Sequence, residues 1–290
     1  GGIKTYVKTS SNTEHGFTTD IGWGCMIRSM QTLLANAIRI DMLSLDHLLD
    51  MRYSEKEEQT DTFIAELFKD EKKYPFSIHN ITEQGFEMFN VNVGDWFGPS
   101  VGAQCLQKII SAQKDFVFEK CFVSVDSGTI YEDELMDYFK TCNSKSVLIL
   151  LCVRLGLNKI NDDYTESFYQ LFDSGKGFKF TGIAGGKPFK SLYFFDKNED
   201  YLIYSDPHHV SNYTDLITNG DVLTDFKENS KVDSTGIGEL DPSMCIGYVI
   251  NNAEGLMNMK DKFSKSKIVS FKNKKAEMAM LNSLDMDSCY

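Results

Sequence analysis

Histidine and proline are scarce in this chain, five of each in 290 residues. No Pro-rich linker, internal repeat or low-complexity tract divides it, so its length reads as two domains or one large domain with an auxiliary lobe. No apolar run approaches the ~18 residues that a membrane helix needs, and no secretory signal opens the sequence. The first residues are Gly1-Gly2 rather than methionine, which reads as a piece cut from a longer chain. The seven cysteines (Cys25, Cys105, Cys121, Cys142, Cys152, Cys245 and Cys289) are odd in number and include no C-x-x-C pair. That excludes a disulfide framework and a zinc site and favours a reducing, cytoplasmic setting. No H-x-x-x-H or similar cluster calls for a metal, and nothing else calls for a cofactor. Basic residues are outnumbered 30 to 42, giving a net charge of −12. This disfavours non-specific binding to nucleic acid or anionic lipid. It permits a basic protein partner, or serves solubility alone.

What is present is an ordinary globular composition, 42% hydrophobic and 25% charged. From Cys25, the residues Met26, Ile27, Met30, Leu33, Leu34, Ala37 and Ile38 recur at helical spacing. Residues Glu57 to Phe68, Val101 to Ala112 and Glu132 to Phe139 read as further helices. Lys120 to Val125, Val147 to Val153, Leu192 to Phe195, Tyr201 to Ser205 and Met244 to Ile250 read as strands. Helices dominate early and strands late, which predicts an α+β protein with the two partly segregated. Residues 1–265 form the expected folded unit; the lysine-rich stretch 266–290 reads as a mobile C-terminal tail.

Two short segments carry candidate chemistry. In Gly22-Trp23-Gly24-Cys25 the glycines permit a sharp turn and close approach by a substrate chain. Cys25 then opens a helix, where free N–H groups and the macrodipole favour a thiolate and face a developing oxyanion. The alternative is a buried, inert cysteine, the reading adopted for the other six. In Asp206-Pro207-His208 the acid and the imidazole lie two apart at the end of a strand and project to one side. The carboxylate would orient the ring and leave its other nitrogen facing a thiol. The alternative is an Asp-Pro turn with a solvated histidine. His209 faces the other way, His79 reads as packing or capping, and His47 and His15 lie in charged or polar stretches. Gly182-Ile183-Ala184-Gly185-Gly186-Lys187 lacks the spacing of a phosphate loop. Trp96, in Gly94-Asp95-Trp96-Phe97-Gly98-Pro99, is either core or the wall of a narrow groove.

The stretch Thr19-Asp20-Ile21-Gly22-Trp23-Gly24-Cys25-Met26-Ile27-Arg28 resembles the nucleophile segment of the autophagins, the autophagy-related cysteine proteases. Further segments follow in that family's order: Phe76 to His79, Trp96 to Ser100, Arg154 to Leu157, Gly182 to Pro188, Asp206 to His208 and Asp241 to Met244. The match runs from about Asp20 to Ile250 and is nearest the fungal members. The resemblance implies a papain-like fold with a family-specific auxiliary region. It implies cleavage of the precursor of a ubiquitin-like autophagy modifier after a glycine, and release of that modifier from phosphatidylethanolamine. The partners implied are the precursor and lipid-conjugated modifier, with indirect contact to the autophagosomal membrane.

By the same resemblance Cys25 is the nucleophile, His208 the general base and acid, and Asp206 the orienting carboxylate. Trp96 covers the passage to the nucleophile, with Gly182 and Phe178 completing the substrate groove; Phe178 stands where the family has a proline. Tyr6 is the oxyanion candidate, without the usual neighbouring arginine. Tyr213-Thr214-Asp215-Leu216 has the aromatic-x-x-aliphatic spacing of a modifier-docking motif, but such short patterns arise often by chance and the segment reads first as an ordinary loop. Two rivals remain: a non-catalytic modifier-binding protein of the same fold, and a redox switch using Cys245 or Cys289.

Overall fold

A computed structural model describes residues 17–43, 55–125, 127–141, 145–208 and 233–279. The helices are α1 (Cys25–Leu43), α2 (Glu55–Leu67), α3 (Ile78–Phe89), α4 (Pro99–Ala112), α5 (Glu132–Thr141), α6 (Thr165–Gln170) and α7 (Ala253–Lys262). The strands are β1 (Lys120–Ser124), β2 (Thr129–Tyr131), β3 (Val147–Arg154), β4 (Phe178–Lys187), β5 (Lys190–Asn198), β6 (Tyr201–Ser205), β7 (Asp233–Gly236), β8 (Ser243–Ile250) and β9 (Ser270–Lys272). Among the described residues, seven strands form one mixed sheet in the order β1-β3-β8-β4-β5-β6-β7. Only the β1–β3 pair in it is parallel.

Helices cover both faces of this sheet, which explains its sequence pattern. β3 and β8 are buried along nearly their whole length. They therefore read as continuous apolar runs rather than alternating ones. One core cluster joins α1, α3 and α4 to the sheet through Met30, Leu34, Phe76, Phe97, Leu106 and Cys245. The other fills the opposite face with Leu151, Phe168, Phe178, Ile246, Tyr248 and Phe263. α1 begins where the apolar periodicity begins and buries the residues that the spacing selected. α3 is capped by Ser77, whose side chain accepts from the Asn80 N–H, and ends at Asn90 in the left-handed region.

The helix and strand order is the α+β arrangement expected, with one strand added and one correction. The Gly182–Lys187 segment, which lacked the spacing of a phosphate loop, is the second half of β4, a strand not read from the sequence, paired with both β5 and β8. Its glycines fit close neighbours within the fold; a Cβ on Gly186 would lie 2.0 Å from the Lys190 carbonyl oxygen, and one on Gly182 2.2 Å from the Tyr193 ring. The correction concerns the tail. Ile268 and Val269 are buried, and β9 pairs in parallel with β2. The following helical stretch, residues 274–279, is tied to α5 by Lys274–Glu134 and Lys275–Asp137 ion pairs. Lysine content suggested solvent; here the ammonium groups meet the acidic face of α5.

β4 and β5 are joined by a two-residue turn, Pro188-Phe189, with Lys187 paired to Lys190. Phe189 adopts φ +63° and is 94% exposed, so it has left-handed strain and little packing to offset it. Phe189→Gly is expected to raise stability by about 0.5–1 kcal/mol. Urea denaturation with an unchanged m-value checks this.

Candidate active site

Residues Thr19 to Gly24 fold into a tight turn that delivers Cys25 to the first position of α1. The N–H groups of Trp23 and Gly24 both donate to the Asp20 carbonyl, at 3.2 and 2.8 Å. The Trp23 indole N–H donates to the Thr19 carbonyl at 3.1 Å, holding the ring buried. Gly24 is required by contact, because a Cβ there would lie 2.5 Å from the Asp20 Cβ. Arg28 then locks the turn. Its Nε meets Asp20 Oδ2 at 2.7 Å, and its two terminal nitrogens grip Asp70 at 2.9 and 2.8 Å. A planar guanidinium suits that three-point clamp, where a lysine would not.

The Cys25 thiol is half-buried, and burial pushes its pKa above the ordinary value; the backbone amides of Ser191, Met26 and Cys25 itself pull the other way. The helix-start expectation therefore holds for position but not for net titration: desolvation outweighs the amides. Those amides nevertheless surround the sulfur with donors, the arrangement an oxyanion needs. Ser191 is fixed in turn by its hydroxyl, which donates to the Gly185 carbonyl and is hydrogen-bonded to the Ser29 hydroxyl, both at 3.0 Å.

β6 pairs with β5 through Tyr193–Ser205 and then releases Asp206 beside the start of β5. His208 Nδ1 lies 2.6 Å from Asp206 Oδ1, and the His208 backbone N–H donates to the same oxygen at 3.0 Å. The pairing arises from a local turn over Pro207 and His208, not from two side chains projecting in parallel off extended backbone. With Nδ1–H turned to the carboxylate, Nε2 is the ring nitrogen without a hydrogen-bond partner among the described residues.

The Asp206 side chain is 7% exposed, and its second oxygen meets Lys190 Nζ at 2.6 Å. Burial alone would raise its pKa. The bonds from Lys190 and His208 more than offset that and hold it down at about 2. Lys190 was not singled out from the sequence. Continuing the β5–β6 register past Tyr193–Ser205 sets Lys190 opposite position 208, and its long side chain reaches diagonally to Asp206; that register is visible only in the fold.

Trp96 is 44% exposed, whereas its neighbour Phe97 is fully buried. Its loop is linked to the nucleophile turn, because the Phe17 ring lies against Gly94 and edge-on to Trp23 at 5.8 Å. Phe178 is not placed in a groove. It is 1% exposed at the start of β4, against Phe263. Gly182 is also interior, in the middle of β4 against the Tyr193 ring. Both groove assignments for these two side chains are thereby corrected. His79 is the second residue of α3, with Nε2 3.2 Å from the Asp70 carbonyl oxygen. Tyr6, His15, His47, His209, Cys142, Cys289 and Tyr213 to Leu216 lie outside the described residues.

Residues 3–262 match the family model of the peptidase C54 catalytic domain. The chain is similar to a probable cysteine protease ATG4 of Eremothecium gossypii, 34% identical over 273 residues, covering 93% of this chain and 51% of that protein. It is 36% identical over 263 residues to the cysteine protease ATG4 of Kluyveromyces marxianus, covering 88% and 55%. It is 35% identical over 254 residues to the cysteine protease ATG4 of Saccharomyces cerevisiae, covering 88% and 49%. The chain spans about half the length of these curated relatives. With a family model matched along most of its length, this chain belongs to the peptidase C54 family, the autophagins that its motifs resemble.

Proposed function

We propose that this chain is a thiol-dependent endopeptidase acting on a ubiquitin-like autophagy modifier. It cleaves the precursor after a glycine and releases the modifier from phosphatidylethanolamine in the cytoplasm, touching the autophagosomal membrane only through that substrate. The observation that carries the reading is the hydrogen-bonded Asp206–His208 pair, leaving β6 beside the strand whose Ser191 amide faces the Cys25 thiol. The names of the fungal relatives, cysteine proteases, support it.

In this mechanism His208 Nε2 takes the Cys25 proton as sulfur attacks the carbonyl carbon of the scissile glycine. The oxyanion forms among the amides at the start of α1. Collapse of the tetrahedral intermediate breaks the bond to the leaving amine, which takes the proton from His208. Water, activated by the same nitrogen, then hydrolyses the thioester. Asp206 keeps the ring in the tautomer that allows both transfers.

A glycine offers no side chain to hold, so recognition must come from a wider surface. Leu157 is 82% and Phe189 94% exposed. Their loops share one end of the sheet, since Leu155 N–H donates to the Pro242 carbonyl and Asp241 N–H to the Gly186 carbonyl. Exposed apolar groups on adjacent loops suit a folded protein substrate.

The raised thiol pKa of Cys25 favours a second reading, a binding protein that does not turn over. Incubation with a modifier bearing a C-terminal electrophile separates the two. The proposal expects a stoichiometric adduct on Cys25 by mass spectrometry at neutral pH, and reversible binding without an adduct supports the second reading.

A further inference from the structure

We infer that Lys190 is a positioning residue of this site, holding the orienting carboxylate charged and in place for His208. The inference rests on the proposed roles of Cys25, His208 and Asp206. Asp206 has two oxygens and three close partners. Oδ1 receives the His208 ring N–H at 2.6 Å and the His208 backbone N–H at 3.0 Å, while Oδ2 meets only the Lys190 ammonium, at 2.6 Å, among the polar contacts described for it.

A carboxylate that is only 7% exposed is costly to keep ionised without a partner on each oxygen. His208 occupies one side, and Lys190 supplies the other. Removing the ammonium leaves Oδ2 buried and bare, so the group either binds a proton or rotates away from the imidazole. Both outcomes spoil the ring's orientation.

The cation is well placed by the fold. Lys190 is the first residue of β5, fixed by the Pro188-Phe189 turn, and it is directly followed by Ser191, whose amide faces the Cys25 sulfur. Two consecutive residues thus touch the two halves of the site, one the thiol and the other the carboxylate. The bond to Asp206, with Asp233 on β7 adding further negative charge, raises the ammonium pKa, so it stays charged; the Tyr204 phenol on β6 also faces it.

Direction follows from these contacts. Burial works to raise the Asp206 pKa, and the Lys190 bond is the first of the contributions that lower it to about 2. Without that bond the folded pKa rises, and the orienting carboxylate is lost at a higher pH.

The test compares wild type, Lys190→Met and Lys190→Arg in precursor cleavage across pH, with Cys25→Ala as the zero. Lys190→Met is expected to lower kcat about 3- to 10-fold with KM held within about twofold, and to move the acid limb to higher pH. Lys190→Arg should restore both, because it keeps the charge. A Lys190→Met enzyme with wild-type kcat and acid limb overturns the inference, as does an Arg variant as impaired as Met. If Cys25→Ala cleaves as well as wild type, the proposed mechanism falls instead. A carboxyl NMR titration of Asp206 in wild type and Lys190→Met then still decides the point: an unchanged pKa overturns the inference, and a rise of about one unit or more supports it.

Discussion

His208→Ala is expected to lower kcat/KM for precursor cleavage by about a thousandfold or more, while modifier binding changes by no more than about twofold. The size follows from the state of the nucleophile. Burial raises the Cys25 pKa above its ordinary value, and three backbone amides only partly offset this. At neutral pH the sulfur therefore carries its proton unless a nearby base accepts it. The other described histidine, His79, is on α3 with its ring against the Asp70 carbonyl. His208 is thus the described imidazole available for the task, and the leaving amine needs the same group as its acid. Half-exposed at the end of its turn, it supports little of the fold, so its removal should leave stability and docking nearly intact. Steady-state kinetics with calorimetric titration of the uncleaved modifier checks both halves. Alkylation of Cys25 by iodoacetamide should slow in parallel. A variant within tenfold of wild type would falsify the assignment of His208.

The sequence revealed those parts of the molecule in which local pattern and tertiary fate agree. α1 was legible because one stripe of its residues is buried and the turn before it has a single well-defined shape. β3 and β8 were legible because burial on both faces leaves nothing polar to interrupt them. β4 was not, since four of its last six residues, from Gly182, are glycine or lysine, and its glycines fit close neighbours rather than strand propensity. The ordering of residues 266–279 was missed for a related reason: the acidic face that receives their lysines lies about 140 residues earlier, on α5.

The site divides in the same way. Cys25 and the Asp206–His208 pair are local features, each complete within a few residues. Lys190 enters only through strand pairing. Phe178 was placed by counting along a loop, but a fully apolar ring beside Phe263 and the end of β8 gains more from the core than from solvent.

Gly182→Ala should be among the most damaging single-methyl changes in the chain, with an expected loss of about 3–4 kcal/mol. Gly182 has φ +128°, a region costly for any residue with a Cβ. The added carbon would also sit 2.2 Å from Cε2 of Tyr193. That ring cannot simply swing aside, for it is buried and its hydroxyl donates to the Thr181 carbonyl at 2.5 Å. Gly247, the strand partner of Gly182 on β8, is itself packed under Leu33 of α1. The backbone therefore has little room on that side either. The two costs can be separated. In a Tyr193→Leu background the ring overlap disappears, and Gly182→Ala should cost only the backbone part, about 1–2 kcal/mol. Tyr193 also pairs with Ser205, directly before Asp206, so strain at Gly182 should lower kcat by disturbing the base's strand. A groove-lining Gly182 would behave in the opposite way, raising KM for the modifier while leaving the unfolding transition where it was. Thermal unfolding set beside steady-state kinetics on the one variant distinguishes an interior glycine from a substrate-facing one.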